Sequence, residues 1–444
     1  MKHISFLTVQ RYFRRYGADV ASQLRQRYGD RLQTRRLPFI GRLTMLFHPQ
    51  DIHAVMVKQG VHVDKPHLVA RLLKSSFGQG LFTSNGDLWR RQRKLIQPAF
   101  QHTQIARYAD LMVAHSLDFT AAWQDGAVIS LDQAMHALTL RIVLAALFST
   151  DSGKTGQEIH HAVIDLGMGL AAQMKLPIPD WLPTPMMRRK RRGSRVLRRI
   201  VAEQIALRRT QGEGNSPSDL LSMLIFSRDP ETGAGMSDLQ ITDEVITFYI
   251  AGHETTALLL GWAWVLLAQH PECAQALHAE VDLVVGDAPL SAADLPRLPY
   301  TSCIVKEVLR LYPPSWFIFR QPNSPLTLER RDEQPAEGIS EGIIFTFPYA
   351  TQRDPRWFPD PDAFQPERWA NDYEKTLPKG VYFPFGMGGR VCIGNGFALM
   401  EAQLILATLA RHWRVVVMDT ARPVASGATL GFAEPIRARL ERRG

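Results

Sequence analysis

Phe385-Gly386-Met387-Gly388-Gly389-Arg390-Val391-Cys392-Ile393-Gly394 sets one cysteine in a glycine-rich turn directly ahead of a helix-like run. The glycines let the backbone take positive φ and fold closely around a sulfur, so that amide N–H groups can point at it. Such donors, a following helix N-terminus and a bound cation all favour the thiolate over the thiol, whose ordinary pKa is about 8.5. Phe385, seven residues earlier, is placed to cover the sulfur. The plain alternative is a small buried cysteine in a tight turn. Other stretches of the chain decide between the two.

Working outward, the pattern from Ser237 to His270 predicts one long helix, capped by Ser237 or Asp238 and stopped by Pro271. In its middle stands Ala251-Gly252-His253-Glu254-Thr255-Thr256. Glycine costs about 1 kcal/mol inside a helix, and the two threonines can bond back to carbonyls one turn earlier. Glu307 and Arg310 lie three apart, on one side of a second predicted helix over Tyr300–Tyr312. Pro366-Glu367-Arg368-Trp369 follows in an irregular stretch rich in proline and aromatic residues, and Trp89 and Arg93 stand one helical turn apart near the start.

In this order and spacing the five stretches resemble the cytochrome P450 family, over nearly the whole chain and most specifically over residues 238–415. The resemblance implies a mainly α fold with a small β portion, a single domain over residues 1–444, and a long central helix lying over haem. Strands are expected near 31–65 and 315–350, with a helical remainder. It implies heme b (iron protoporphyrin IX) with Cys392 as iron ligand, and Phe385, Gly386, Ile393 and Gly394 around that ligand. Trp89 and Arg93 fall to one propionate and Arg390 to the other, with Arg320, past Pro313-Pro314, as a further candidate. Ala251 and Gly252 form a notch over the iron, Glu254 relays protons and Thr255 steadies dioxygen. His253 is expected to face solvent. Glu307, Arg310 and Arg368 form a structural triad behind the cysteine loop. Gln352 stands where many relatives have histidine.

The implied activity is a monooxygenase that inserts one oxygen atom of O2 into a substrate. Its electrons come from NAD(P)H through a separate ferredoxin or flavodoxin and reductase, because the chain ends at Gly444 with no such module fused. The donor is expected at a basic face that includes Arg90, Arg91 and Lys94. A peroxygenase or isomerase on the same fold would not need the Glu254-Thr255 pair, and a haem sensor would need no electron supply. By family position the substrate pocket takes Phe77, Leu81, Phe82, Phe248, Trp316, Phe317 and Leu430. That lining is apolar and points to a lipophilic compound such as a fatty acid or terpenoid, with Arg71 or Lys74 as anchors for a carboxylate.

Composition agrees with a large core: 444 residues are 45% hydrophobic and 21% charged. Three scattered cysteines, Cys273, Cys303 and Cys392, give no disulfide framework and point to a reducing, cytoplasmic setting. The longest uninterrupted apolar run, residues 257–268, is well short of the ~20 needed to span a bilayer. The net charge of +9 is unevenly placed: residues 1–36 carry nine Lys/Arg against Asp19 and Asp30, and residues 188–199 carry eight with no acid. No nucleic-acid-reading motif accompanies them, which argues against that partner. Solvated faces are one reading. The other is peripheral contact with the inner membrane surface, helped by Trp181, Leu182, Met186 and Met187 beside the second cluster.

Overall fold

The structure, a computed structural model, describes residues 1–38, 40–149, 154–175, 182–284, 289–331 and 335–443. Nine helices carry the argument: α1 (Phe6–Tyr16), α2 (His67–Phe77), α3 (Gly86–Ile96), α4 (Leu131–Phe148), α5 (Lys154–Lys175), α6 (Pro185–Gln211), α7 (Asp238–Gln269), α8 (Pro299–Leu311) and α9 (Asn395–His412). At 1.5 Å per residue the 32-residue α7 runs about 48 Å. It starts at a capping box in which Ser237 and Gln240 satisfy each other's backbone N–H groups, and it stops at His270 before Pro271. Helices α4, α8 and α9 pack around its C-terminal half in the main core. There the Trp262 ring stacks on Tyr312 at 3.8 Å and meets Phe432 at 4.4 Å. Helices α4 and α7 are apolar enough to span a bilayer, yet 67% of each apolar stretch is buried inside the fold.

A six-stranded sheet runs in the order Lys2–Ile4, Arg31–Thr34, Leu43–Leu46, Ile343–Thr346, Ile318–Pro322, Val63–Asp64. It joins the two expected β regions, 31–65 and 315–350, into one layer. The remainder is not all helical, as was expected. Trp413–Val417 pairs antiparallel with Arg437–Arg442, which in turn pairs with Val128–Ser130, and Pro423–Ser426 forms a hairpin with Thr429–Phe432. In Arg437–Arg442, Ala438 and Leu440 are buried between exposed arginines, the period-two pattern of a half-buried strand.

The basic segments divide differently from expectation. Arg25 and Arg31 are internal, paired with Asp354 and Asp51. On α6, Met187 is fully buried and takes no part in a surface, while Arg188, Arg191, Arg192 and Arg195 are exposed. Trp181 lies outside the described residues. Arg71 and Lys74 point outward from α2.

Candidate active site

The cysteine loop owes its shape to close approach. Gly386 and Gly388 take φ of 73° and 70°, and a Cβ on Gly388 would sit 2.1 Å from the Met56 carbonyl oxygen. The Cys392 N–H donates to the Phe385 carbonyl at 2.9 Å, which closes the loop just before α9. The Gly394 N–H is turned on the sulfur and Arg93 is near in charge, but burial outweighs both and raises the thiol's pKa. A bound cation favours the thiolate instead.

Around the loop gather four cations, Arg320 buried and Arg390, Arg93 and Lys65 half-buried. Arg390 lies over the Trp89 ring at 4.1 Å and pairs with Asp64, while its Nη1 has no partner among the described residues. Arg93 Nη1 donates to the Val391 carbonyl at 3.0 Å. Arg320 Nη1 donates to the Phe319 carbonyl at 2.8 Å, and burial, followed by repulsion from Arg390, pushes its pKa down to about 10. Lys65 donates to the carbonyls of Leu81 and Ser84 at 2.7 and 2.9 Å. Its pKa is driven well below the usual value by burial first and then by Arg390 and Arg320. Among the described residues Asp64 is the one carboxylate bonded to any of these four. Buried positive charge in excess, with an orphaned guanidinium nitrogen, suits a bound group that brings carboxylates of its own. Haem b, with two propionates and an iron for Cys392, fits that donor set.

Phe100 links the loop to α7: its ring is 3.9 Å from a Cβ built on Gly394 and 5.2 Å from the Phe248 centroid. Ile393, Trp89 and Phe248 pack on one apolar cluster with Phe77, Leu81, Leu95 and Val143. In the unbroken α7, Ala251 is exposed between buried turns, and Gly252 leaves only 3.1 Å between a built Cβ and Val143. Thr255 and Thr256 donate to the carbonyls of Ala251 and Gly252 at 2.8 and 3.2 Å. His253 is half-buried, not solvent-facing: its Nδ1 sits 2.9 Å from the Tyr249 carbonyl oxygen, and its ring lies 6.0 Å from His136.

The triad is closed on all sides. Glu307 accepts from Arg310 Nη2 and Nε at 2.8 Å, Arg368 Nε at 3.1 Å, Trp369 Nε1 at 2.8 Å and the Gln365 N–H at 3.0 Å. Arg310 spends its remaining donors on the carbonyls of Gln352, Pro361 and Ala363. Gln352 is itself fully used, donating to Leu309 and Arg310 carbonyls and accepting from the Phe383 N–H.

The expected pocket residues fall in two places. Phe77, Leu81, Phe82 and Phe248 stand on the α2–α7 side, whereas Trp316, Phe317 and Leu430 belong to the sheet-side cluster. Trp316 and Phe317 line a cavity of about 340 Å³ beneath Phe13 of α1. Sequence reasoning missed four groups. Asp64, in the two-residue strand Val63–Asp64, and Lys65 just after it join the site with no motif. Thr429 donates to Glu254 Oε1 at 3.0 Å from a distant hairpin. Glu401 of α9 is buried, and although the nearby Thr256 hydroxyl favours its charged form, burial outweighs it and raises the carboxyl's pKa to about 8. Glu401 was findable as the one charged residue in the run Leu399–Leu409.

The chain matches the sequence profile of cytochrome P450 over residues 5–437. It is 36% identical to cyclooctat-9-en-7-ol 5-monooxygenase of Streptomyces melanosporofaciens over 407 residues, 91% of this chain and 84% of the relative. It is 37% identical to pentalenene oxygenase of Streptomyces avermitilis over 402 residues, 89% of this chain and 87% of the relative. The crystal structure of the cytochrome P450DA heme domain superposes with a TM-score of 0.84 at 25% identity, covering 98% of this chain and 93% of that one.

Proposed function

The chain belongs to the cytochrome P450 family and is a haem-thiolate monooxygenase acting on a lipophilic substrate with electrons from separate partners; on that premise we propose how its residues divide the work. Cys392 holds the iron, and Trp89, Arg93, Arg390 and Arg320 hold the propionates. The observation that carries this is the excess of buried and half-buried cations around the cysteine loop, with one guanidinium nitrogen of Arg390 unpartnered among the described residues. When bound, the haem supplies the iron at which dioxygen is reduced, one oxygen atom going to substrate and the other to water. Glu254 accepts from the Thr429 hydroxyl at Oε1, which leaves Oε2, one residue from Thr255, as the atom that relays protons. Rotation about χ1 would free the Thr255 hydroxyl from the Ala251 carbonyl, so that it could donate to dioxygen. Thr255→Ala should keep haem and substrate binding but send electrons to peroxide or water. Undiminished coupling of NAD(P)H to product would remove Thr255 from this role.

The substrate we assign is a cyclic terpene hydrocarbon or alcohol. The names of the two Streptomyces relatives support it, as does the apolar wall of Phe77, Leu81 and Phe248. A spin-state titration with cyclic terpenes and with long-chain fatty acids tests it: terpenes should bind at least tenfold more tightly, and equal or reversed affinity refutes the assignment. An acidic ferredoxin or flavodoxin docks near α3, where Arg90, Arg91 and Lys94 are exposed. Peripheral contact with an anionic membrane falls to α6. Arg188, Arg191, Arg192 and Arg195 recur at i, i+3, i+4 and i+7 on one face, beside exposed Leu182, Ile164 and Met168. Positive charge near a helix N-terminus opposes the helix dipole, so folding does not account for the stripe. Each such residue contributes up to about 1 kcal/mol at an anionic surface. Co-sedimentation with anionic and neutral vesicles at low and high salt should give salt-sensitive binding to the anionic ones alone.

A further inference from the structure

The loop of residues 78–84 is pressed onto α7 by contacts that neither proton delivery nor cofactor binding requires. A Cβ on Gly78, at φ 60°, would stand 2.0 Å from the Asp243 carboxylate, and one on Gly80 would stand 2.3 Å from Thr247 Oγ1. Only glycine at both positions permits this seat. Asp243 Oδ2 accepts the Gln79 N–H at 2.8 Å, and its Oδ1 accepts Arg198 Nη1 of α6 at 2.7 Å. Three elements, the loop, α6 and α7, therefore meet on one carboxylate. One residue on, Glu244 Oε2 accepts the Leu81 N–H at 2.7 Å, and the Leu81 carbonyl is held by Lys65 at the same distance. Gln92 of α3 donates to the Gln79 carbonyl at 2.6 Å. The backbone of Leu81 is thus gripped from α7 on one side and from the cation cluster on the other, with its side chain in the apolar cluster that also holds Phe248 and Ile393.

We propose that Asp243 is a positioning residue: by sharing its carboxylate between loop 78–84 and Arg198, it makes the loop and α6 release together and so sets which lipophilic ligands are retained over Cys392. A ligand larger than the closed passage leaves only when the loop lifts or α6 shifts, and either motion breaks a charge-assisted bond to Asp243. A small ligand leaves without breaking it. Because both bonds end on the same carboxylate, their losses are not additive. The inference rests on the reading of Cys392 as haem ligand and names what controls access to it.

The test uses the haem-loaded full chain with Asp243→Asn, Arg198→Met and the double variant. Two readouts apply: amide hydrogen exchange in 78–84, and dissociation of imidazole and of clotrimazole followed by the haem spectrum. Each single variant should speed clotrimazole release and exchange at Gln79 and Leu81 by about tenfold, the scale of one hydrogen bond to a charged group. Imidazole release should stay within twofold, and the double variant should add little to either single one. Arg198, on the partly exposed side of the pair, keeps the test open if Asp243→Asn folds poorly. Unchanged exchange in 78–84, equal acceleration of both azoles, or additive effects in the double variant would each overturn the proposal. Failure of imidazole to shift the wild-type spectrum would instead strike the reading of Cys392.

Discussion

Two clusters of buried arginine flank the cysteine loop, and their hydrogen bonds differ in kind. Around Glu307 every charge is answered from within the chain: Arg310 and Arg368 share one carboxylate, and their spare donors end on backbone carbonyls. Around Trp89, Arg93, Arg320, Arg390 and Lys65 share Asp64 and a few carbonyls, and one guanidinium nitrogen is left over. A cluster that closes on itself holds the fold, whereas one that does not is shaped for something that arrives later. Residue type does not separate them, since both are built of arginine and a few acids. The balance of charge does.

The comparison breaks first if the closed cluster proves dispensable. Glu307→Ala leaves two buried guanidinium groups without their anion, and breaking a buried pair this way costs about 3–5 kcal/mol. The expected outcome is a chain that no longer accumulates folded, read by urea denaturation or by soluble yield. A midpoint equal to wild type would mean that the triad is not structural.

The open cluster should respond with opposite signs in its two states. Arg320→Leu removes an uncompensated buried charge, so the haem-free chain should be as stable as wild type or more so. The loaded protein should release haem to apomyoglobin about tenfold faster, the equivalent of ~1.4 kcal/mol. Loss of stability in the haem-free chain, with no change in haem release, would put Arg320 in the structural class.

A smaller effect separates Glu401 from both clusters. Its folded-state pKa of about 8 lies above the ordinary 4.5, so the fold keeps a proton that the unfolded chain gives up. That contribution is fully present below pH 4.5 and is lost as the pH rises to about 8. Glu401→Gln should flatten this part of the stability profile, read as urea midpoints at pH 5 and pH 8. An unaltered slope would mean that other groups produce it.

The closed cluster was legible in the chain because its members carry motif spacing: Glu307 and Arg310 stand three positions apart, and Arg368 sits inside Pro-Glu-Arg-Trp. The long helix was legible through its cap at Ser237 and its stop at Pro271. The open cluster was legible only by half. Trp89, Arg93 and Arg390 have local signatures, but Asp64 and the following Lys65 reach Arg390 and Leu81 because the strand Val63–Asp64 is placed by pairing with Gln321 and Pro322. Thr429 meets Glu254 across 175 residues for the same kind of reason. Pairing of this range leaves no local period. The C-terminal strands did show alternation, as in Trp413 to Val415 and Ala438 to Leu440, but each is short and they follow a strong helix. Met187 misled because a methionine before an arginine run reads as surface, while the helix phase turns it inward with Lys190 and Gly193.

On the proposed assignment, the open cluster and Cys392 together cradle a haem whose iron takes the sulfur. The most direct measurement is the reduced carbon-monoxide spectrum of Cys392→His beside wild type. Wild type should show the spectrum characteristic of thiolate-bound haem. The variant should still retain haem through Trp89, Arg93, Arg320 and Arg390, but with the spectrum of an imidazole-ligated iron. A thiolate spectrum that survives in Cys392→His would contradict the claim.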